Sequence, residues 1–145
     1  MGLLPQVDFA DTEALVDERR PIDVLLVEDN DVFREALELM LGLTPDVNVV
    51  GAVADGRSAI VECERLHPDV VLMDYRLPEL GGVEATAEIC SRSDAAVVVL
   101  TATAEEGEIE ALLAAGAVAC LTKDSELEEI VRTIRDASLR GASLI

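Results

Sequence analysis

The sequence has no tryptophan, one tyrosine (Tyr75) and two phenylalanines in 145 residues. A surface that stacks unpaired bases needs aromatic rings, so this composition argues against single-stranded nucleic acid as a ligand. Positive charge is also scarce. Eleven Lys and Arg face 30 Asp and Glu, a net charge of −19. Such a surface repels phosphate backbones and favours a cation or a basic partner. Ten of the basic residues are arginine, and Lys123 is the only lysine. The single histidine, His67, precedes Pro68 and reads as a surface residue in a helix-to-strand turn. Cys63, Cys90 and Cys120 lie far apart without CxxC or metal-ligand spacing, which predicts three buried thiols in a reducing cytosol. No apolar run reaches the length of a membrane span. Gly2 is followed by Gln6 where a myristoylation signal requires Ser or Thr, and no basic segment opens a signal peptide. A cytoplasmic protein without a membrane partner is expected.

What the chain does have is aliphatic. Half its residues are hydrophobic, enough for one folded domain with a Val, Leu, Ile and Ala core. Residues 1–20 read as a leader, flexible or partly helical, with Asp11 able to cap a short helix through Arg19. Residues 21–141 read as the domain and 142–145 as the start of a linker. Within the domain, short β-branched runs alternate with segments of helical period. Strands are predicted over Ile22–Val27, Val47–Val53, Val70–Met73, Ala95–Leu100 and Val118–Leu121. Helices are predicted over Asp31–Leu43, Arg57–Leu66, Val83–Cys90 and Ala104–Ala115, the last ended by Gly116. A final helix opens at Ser125, with Glu128 completing a capping box, and runs to about Arg140 before Gly141. The first helix is expected to bury Val32, Ala36, Leu37, Met40 and Leu41. Strands apolar on both faces, each followed by a helix, specify a parallel sheet covered on both sides, a doubly wound α/β fold.

In such a sheet the crevice lies beyond the carboxyl ends of the strands. Glu28 and Asp29 stand there after the first strand, Asp74 after the third, Thr101 after the fourth and Lys123 after the fifth. Loops are polar and this chain is acidic, so one or two acids at strand ends mean little. The only lysine falling at the fifth strand end is harder to ascribe to composition. Clustered carboxylates suit a hard cation such as Mg²⁺. A lysine opposite supplies a point charge for phosphate, and a carboxylate nucleophile gives an acyl phosphate.

These residues carry a resemblance. Val27-Glu28-Asp29-Asn30, Asp74-Tyr75-Arg76-Leu77-Pro78 with Gly82, Leu100-Thr101-Ala102, Gly116-Ala117 and Leu121-Thr122-Lys123-Asp124 are similar to the motifs of the receiver domain of a two-component response regulator, over Ile22 to Arg140. The resemblance implies a five-stranded flavodoxin-like (CheY-like) sheet of order 2-1-3-4-5. It implies phosphorylation of Asp74 by a sensor histidine kinase, or by a small acyl phosphate. Mg²⁺ would be held by Asp29, Asp74 and the backbone carbonyl of Arg76, and by Glu28 mainly through water. Thr101 and Lys123 would contact the phosphoryl group, with the amide of Ala102 beside them. Arg76 and Thr103 fall where dephosphorylation rate is tuned. The domain would be an acceptor with autodephosphorylation rather than a turnover enzyme, forming a homodimer on phosphorylation.

Arg34 and the pair Lys123-Asp124 are similar to the LuxR/NarL-type subfamily, which controls transcription through a C-terminal helix-turn-helix, and Leu139–Ile145 resembles the start of its linker. DNA would be bound only through that effector, not by this segment. The chain departs from the family at Cys120, where Tyr or Phe is usual, and at Glu28, where Asp is common. The Cys120 departure leaves open a phosphorylation-independent interaction module. A phosphatase or nucleotide-binding enzyme on a similar sheet is the other alternative; no glycine-rich phosphate loop supports it.

Overall fold

The computed structural model describes residues 20–103 and 105–143. Five strands, β1 (Ile22–Val27), β2 (Val47–Val53), β3 (Val70–Asp74), β4 (Ala96–Thr101) and β5 (Ala119–Thr122), form one sheet. Every pairing is parallel, and the spatial order is β2-β1-β3-β4-β5. The helices are α1 (Asp31–Gly42), α2 (Gly56–Leu66), α3 (Gly82–Arg92), α4 (Glu106–Ala115) and α5 (Leu127–Ser143).

Strand alternation divides the core into two layers. Val24, Leu26, Val70, Leu72, Val98 and Leu100 pack under α1 and α5, against Leu37, Leu41, Ile130, Val131, Ile134 and Ala137. Leu25, Val27, Val71, Met73, Val97 and Val99 pack under α2, α3 and α4, against Ala59, Cys63, Ala85, Ile89 and Leu112. The three interior strands β1, β3 and β4 are therefore apolar on both faces. Each buried Leu, Ile or Val contributes about 1.5–3 kcal/mol.

The element order is as the sequence predicts, with local differences. Helix α1 buries Leu37 and Leu41 as expected, joined by half-buried Phe33. Val32 is 78% exposed, Met40 is 38% exposed, and Ala36 is exposed. Two apolar stripes share this helix, and periodicity alone does not choose between them. Polar anchors in the first turn set its rotation: Asn30 caps the Phe33 amide, and Arg34 bonds back to Glu28. The unburied stripe, Val32, Ala36, Leu39, Met40 and Leu43, faces out.

Helix α5 begins at Leu127 rather than at Ser125, whose hydroxyl lies 3.5 Å from that of Thr122. It continues past Gly141 to Ser143. Residues 142–143, expected to open a linker, are thus helical; a glycine costs a helix only about 1 kcal/mol. Gly116 ends α4 at φ 119° as expected, and a Cβ there would lie 2.7 Å from Cys90 Sγ. His67 is exposed and ends α2 in the left-handed region at φ 50°. All three cysteines are free; Cys63 is buried, while Cys90 and Cys120 are only half-buried. The leader expected over residues 1–20 lies outside the described residues except for Arg20, which forks onto Asp69 through two 2.8 Å bonds. Among the described residues no helix is long and apolar enough to cross a membrane.

Candidate functional site

The carboxyl ends of β1, β3, β4 and β5 converge where the sheet order reverses, between β1 and β3. β1 runs straight into Glu28 and Asp29, and β3 ends on Asp74. One carboxylate oxygen each from Glu28, Asp29 and Asp74 lie within 4.8 Å of one another. Glu28 is 2% exposed and Asp74 is 4% exposed, while Asp29 is exposed.

Lys123 arrives from β5, its amide donating to the Thr101 carbonyl across the sheet at 2.8 Å. Its ammonium lies 2.8 Å from Glu28 Oε1 and 3.3 Å from Asp74 Oδ2. The Phe33 ring supports it from α1, with the centroid 4.9 Å away. Glu28 accepts the Asn30 amide on its other oxygen at 3.0 Å. Asp74 Oδ1 accepts the Arg76 amide at 3.3 Å.

These contacts set the electrostatics. Burial, and next the Glu28 charge, push Asp74 up to about 6; Lys123 and the Arg76 amide pull the other way without winning. Burial pulls Lys123 down, but the hydrogen bond to Glu28 and the charges of Asp74 and Glu28 outweigh it, and the ammonium is held above its ordinary value. The pocket therefore holds one lysine among three acids.

Of the sequence-predicted residues, Glu28, Asp29, Asp74 and Lys123 are brought together. Thr101 is buried at the end of β4, but its hydroxyl donates to the Thr103 carbonyl at 2.8 Å rather than to the acids. Arg76 reaches Asp74 by its backbone, and its side chain is exposed. Ala102 is exposed on the same loop. Asp29-Asn30-Asp31 has the Asp-x-Asp spacing of some sheet phosphatases, yet the Asp31 carboxylate turns onto Arg34 at 2.8 Å. Sequence reasoning missed Phe33 as a support for Lys123 and treated Arg34 only as a family marker. Their places in the first turn of α1, beside the acidic pair, were the available signal.

Residues 24–135 match the response regulator receiver domain family. The chain belongs to this family. It is 37% identical over 118 residues to the transcriptional regulatory protein LiaR of Bacillus subtilis, covering 81% of this chain and 56% of that protein. It is 40% identical over 115 residues to the response regulator GacA of Pseudomonas aeruginosa, covering 79% of this chain and 54% of that one. Among solved structures, the receiver domain of the putative response regulator NarL from Mycobacterium tuberculosis superposes with a TM-score of 0.79 at 33% identity, over 82% of this chain and 97% of that one. The chain spans about half the length of these curated relatives, which are LuxR/NarL-type regulators. The receiver fold and the two-component family expected from the motifs are both found.

Proposed function

We infer that Asp74 is the phosphoryl acceptor of this receiver. The observation that carries the reading is the gathering of three carboxylates within 4.8 Å with the only lysine 3.3 Å from Asp74. The donor set is all oxygen and partly open to solvent, as Mg²⁺ requires. Asp29, Asp74 and the backbone carbonyl of Arg76 would hold the ion. Glu28 has both oxygens engaged and would act through water. The ion supplies neutralisation of charge on the phosphoryl oxygens.

The Asp74 carboxylate oxygen attacks phosphorus, and the bond from phosphorus to the donor breaks. For a phosphohistidine of a sensor kinase, the imidazole nitrogen keeps the electron pair and takes a proton. Lys123 pairs with the transferred group, and Thr101 exchanges its bond to the Thr103 carbonyl for one to a phosphoryl oxygen. Positioning and charge neutralisation are the main requirements of this chemistry. The exposed apolar stripe of α1 starts at Val32, close to the acidic pair, and suits docking of a protein donor. The domain is an acceptor that reverses by hydrolysis, not a turnover enzyme. In the cytoplasm its output would be transcription through a DNA-binding domain of the kind its relatives are named for, with phosphorylation favouring a homodimer.

The test is the stability response to beryllofluoride, a phosphoryl mimic. Mg²⁺ with beryllofluoride should raise the thermal midpoint of the unsubstituted chain and leave Asp74→Asn unchanged. No response in either would favour the phosphorylation-independent module that Cys120 left open.

A further inference from the structure

Arg34 is a cation that the transfer chemistry leaves unused. Its side chain is only 19% exposed, although arginine heads are ordinarily solvated. Nη1 donates to the backbone carbonyl of Glu28 at 2.8 Å, and Nη2 donates to Asp31 Oδ1 at 2.8 Å. One guanidinium thus spans the turn from Glu28 to Asp31. Inside that span sits Asp29, the exposed member of the acidic group.

The geometry has a direct consequence. The Glu28 carbonyl carbon is bonded to the Asp29 nitrogen, and the peptide linking them is planar. Fixing the direction of that carbonyl fixes the plane that leads into Asp29. The other backbone contacts of the turn are the Asn30 amide on Glu28 Oε2, the Phe33 amide on Asn30 Oδ1, the Glu28 amide on the Val53 carbonyl at 3.0 Å and the Arg34 amide on the Asn30 carbonyl at 2.9 Å. None of these engages the Glu28 carbonyl. Helix α1 is anchored below by Leu37 and Leu41, so Arg34 ties the acidic turn to a fixed element.

We propose that Arg34 is a positioning residue that aims the Asp29 carboxylate for Mg²⁺ by clamping the Glu28 carbonyl. The inference rests on the reading of the pocket as a Mg²⁺ site. The ion pair with Asp31 is not what matters. Asp31 is 78% exposed, and exposed pairs contribute little. The planar guanidinium matters because it presents an N–H to the Glu28 carbonyl in a fixed direction, which a freely rotating ammonium does not.

The experiment is calorimetric titration of the full chain with Mg²⁺ alone, no phosphodonor present. Groups that orient a metal ligand typically change affinity by 10- to 100-fold. Arg34→Gln should bind Mg²⁺ about tenfold more weakly than the unsubstituted chain, with Arg34→Lys between the two. Asp31→Asn keeps the carbonyl bond and should stay within about twofold. At saturating Mg²⁺, acetyl phosphate should label Arg34→Gln to the unsubstituted level, which a general loss of structure would not allow. If Arg34→Gln does not fold, Arg34→Lys must still bind more weakly than Asp31→Asn. The proposal is overturned if Arg34→Gln binds within twofold of the unsubstituted chain, or if Asp31→Asn loses as much affinity as Arg34→Gln. Absence of Mg²⁺ binding by the unsubstituted chain would instead overturn the reading of the pocket, and this inference with it.

Discussion

Asp74 is held in a conflict that only a cation or a proton relieves. Its carboxyl stands at about 6 because burial and Glu28 oppose its charge. An unfolded aspartate titrates near 4. Between about pH 4 and 6 the native chain therefore binds more protons than the unfolded one, so this group's effect on stability worsens as pH rises through that window. Above pH 6 the full penalty remains, on the order of 3 kcal/mol. Metal-free Asp74→Asn should accordingly be more stable than the unsubstituted chain at pH 7.5 and equal to it near pH 4, by denaturant unfolding. Equal stability at pH 7.5 would show that Lys123 already neutralises the site. Cys120 poses a second residue-scale question. It is half-buried on β5, opposite Val99 of β4, and it is too small to fill the space an aromatic would take. Cys120→Tyr should change the hydrogen exchange that beryllofluoride induces in residues 101–115 more than it changes phosphorylation. A variant that folds but is not phosphorylated would mean the pocket is built around a small residue there.

The acids and the lysine were legible because strand ends are predictable and one lysine in an acidic chain is conspicuous. The Thr101 hydroxyl turning to Thr103, and the Phe33 ring under Lys123, were not. A rotamer and a packing contact leave no periodic trace in a sequence.

At the scale of elements, boundaries came within a few residues because β-branched runs, Pro68 and Gly116 punctuate the chain clearly. The rotation of α1 did not follow, since two apolar stripes fit one period. The end of α5 did not follow either, because Gly141 alone is a weak stop. Two junctions make testable claims. Gly82 opens α3 with its amide on the Tyr75 carbonyl at 3.0 Å. A Cβ there would stand 2.6 Å from that same oxygen. Gly82→Ala must push α3 away from the loop after Asp74, and should cost about 2 kcal/mol in chemical denaturation. A neutral effect would mean the loop yields freely. His67, by contrast, holds a left-handed φ of 50° with a side chain. His67→Gly should stabilise by about 1 kcal/mol, the ordinary cost of that conformation. A destabilised variant would reveal a contact worth more than the strain.

Over the whole molecule, a net charge of −19 acts on the fold and on partners alike. Self-repulsion is screened by salt. The thermal midpoint should therefore rise between low and physiological ionic strength even with a non-binding cation. The same field should keep this segment off DNA, and retention of duplex DNA by residues 1–145 alone at any salt would contradict that expectation. The fold class was legible at this scale because a parallel sheet writes itself as apolar runs alternating with helices. The central claim concerns one carboxylate. Its most direct measurement is the intact mass of the chain after incubation with acetyl phosphate, with and without Mg²⁺. The account predicts one phosphoryl group per chain only when Mg²⁺ is present, and none on Asp74→Asn. Full labelling of Asp74→Asn, or labelling indifferent to Mg²⁺, would contradict it.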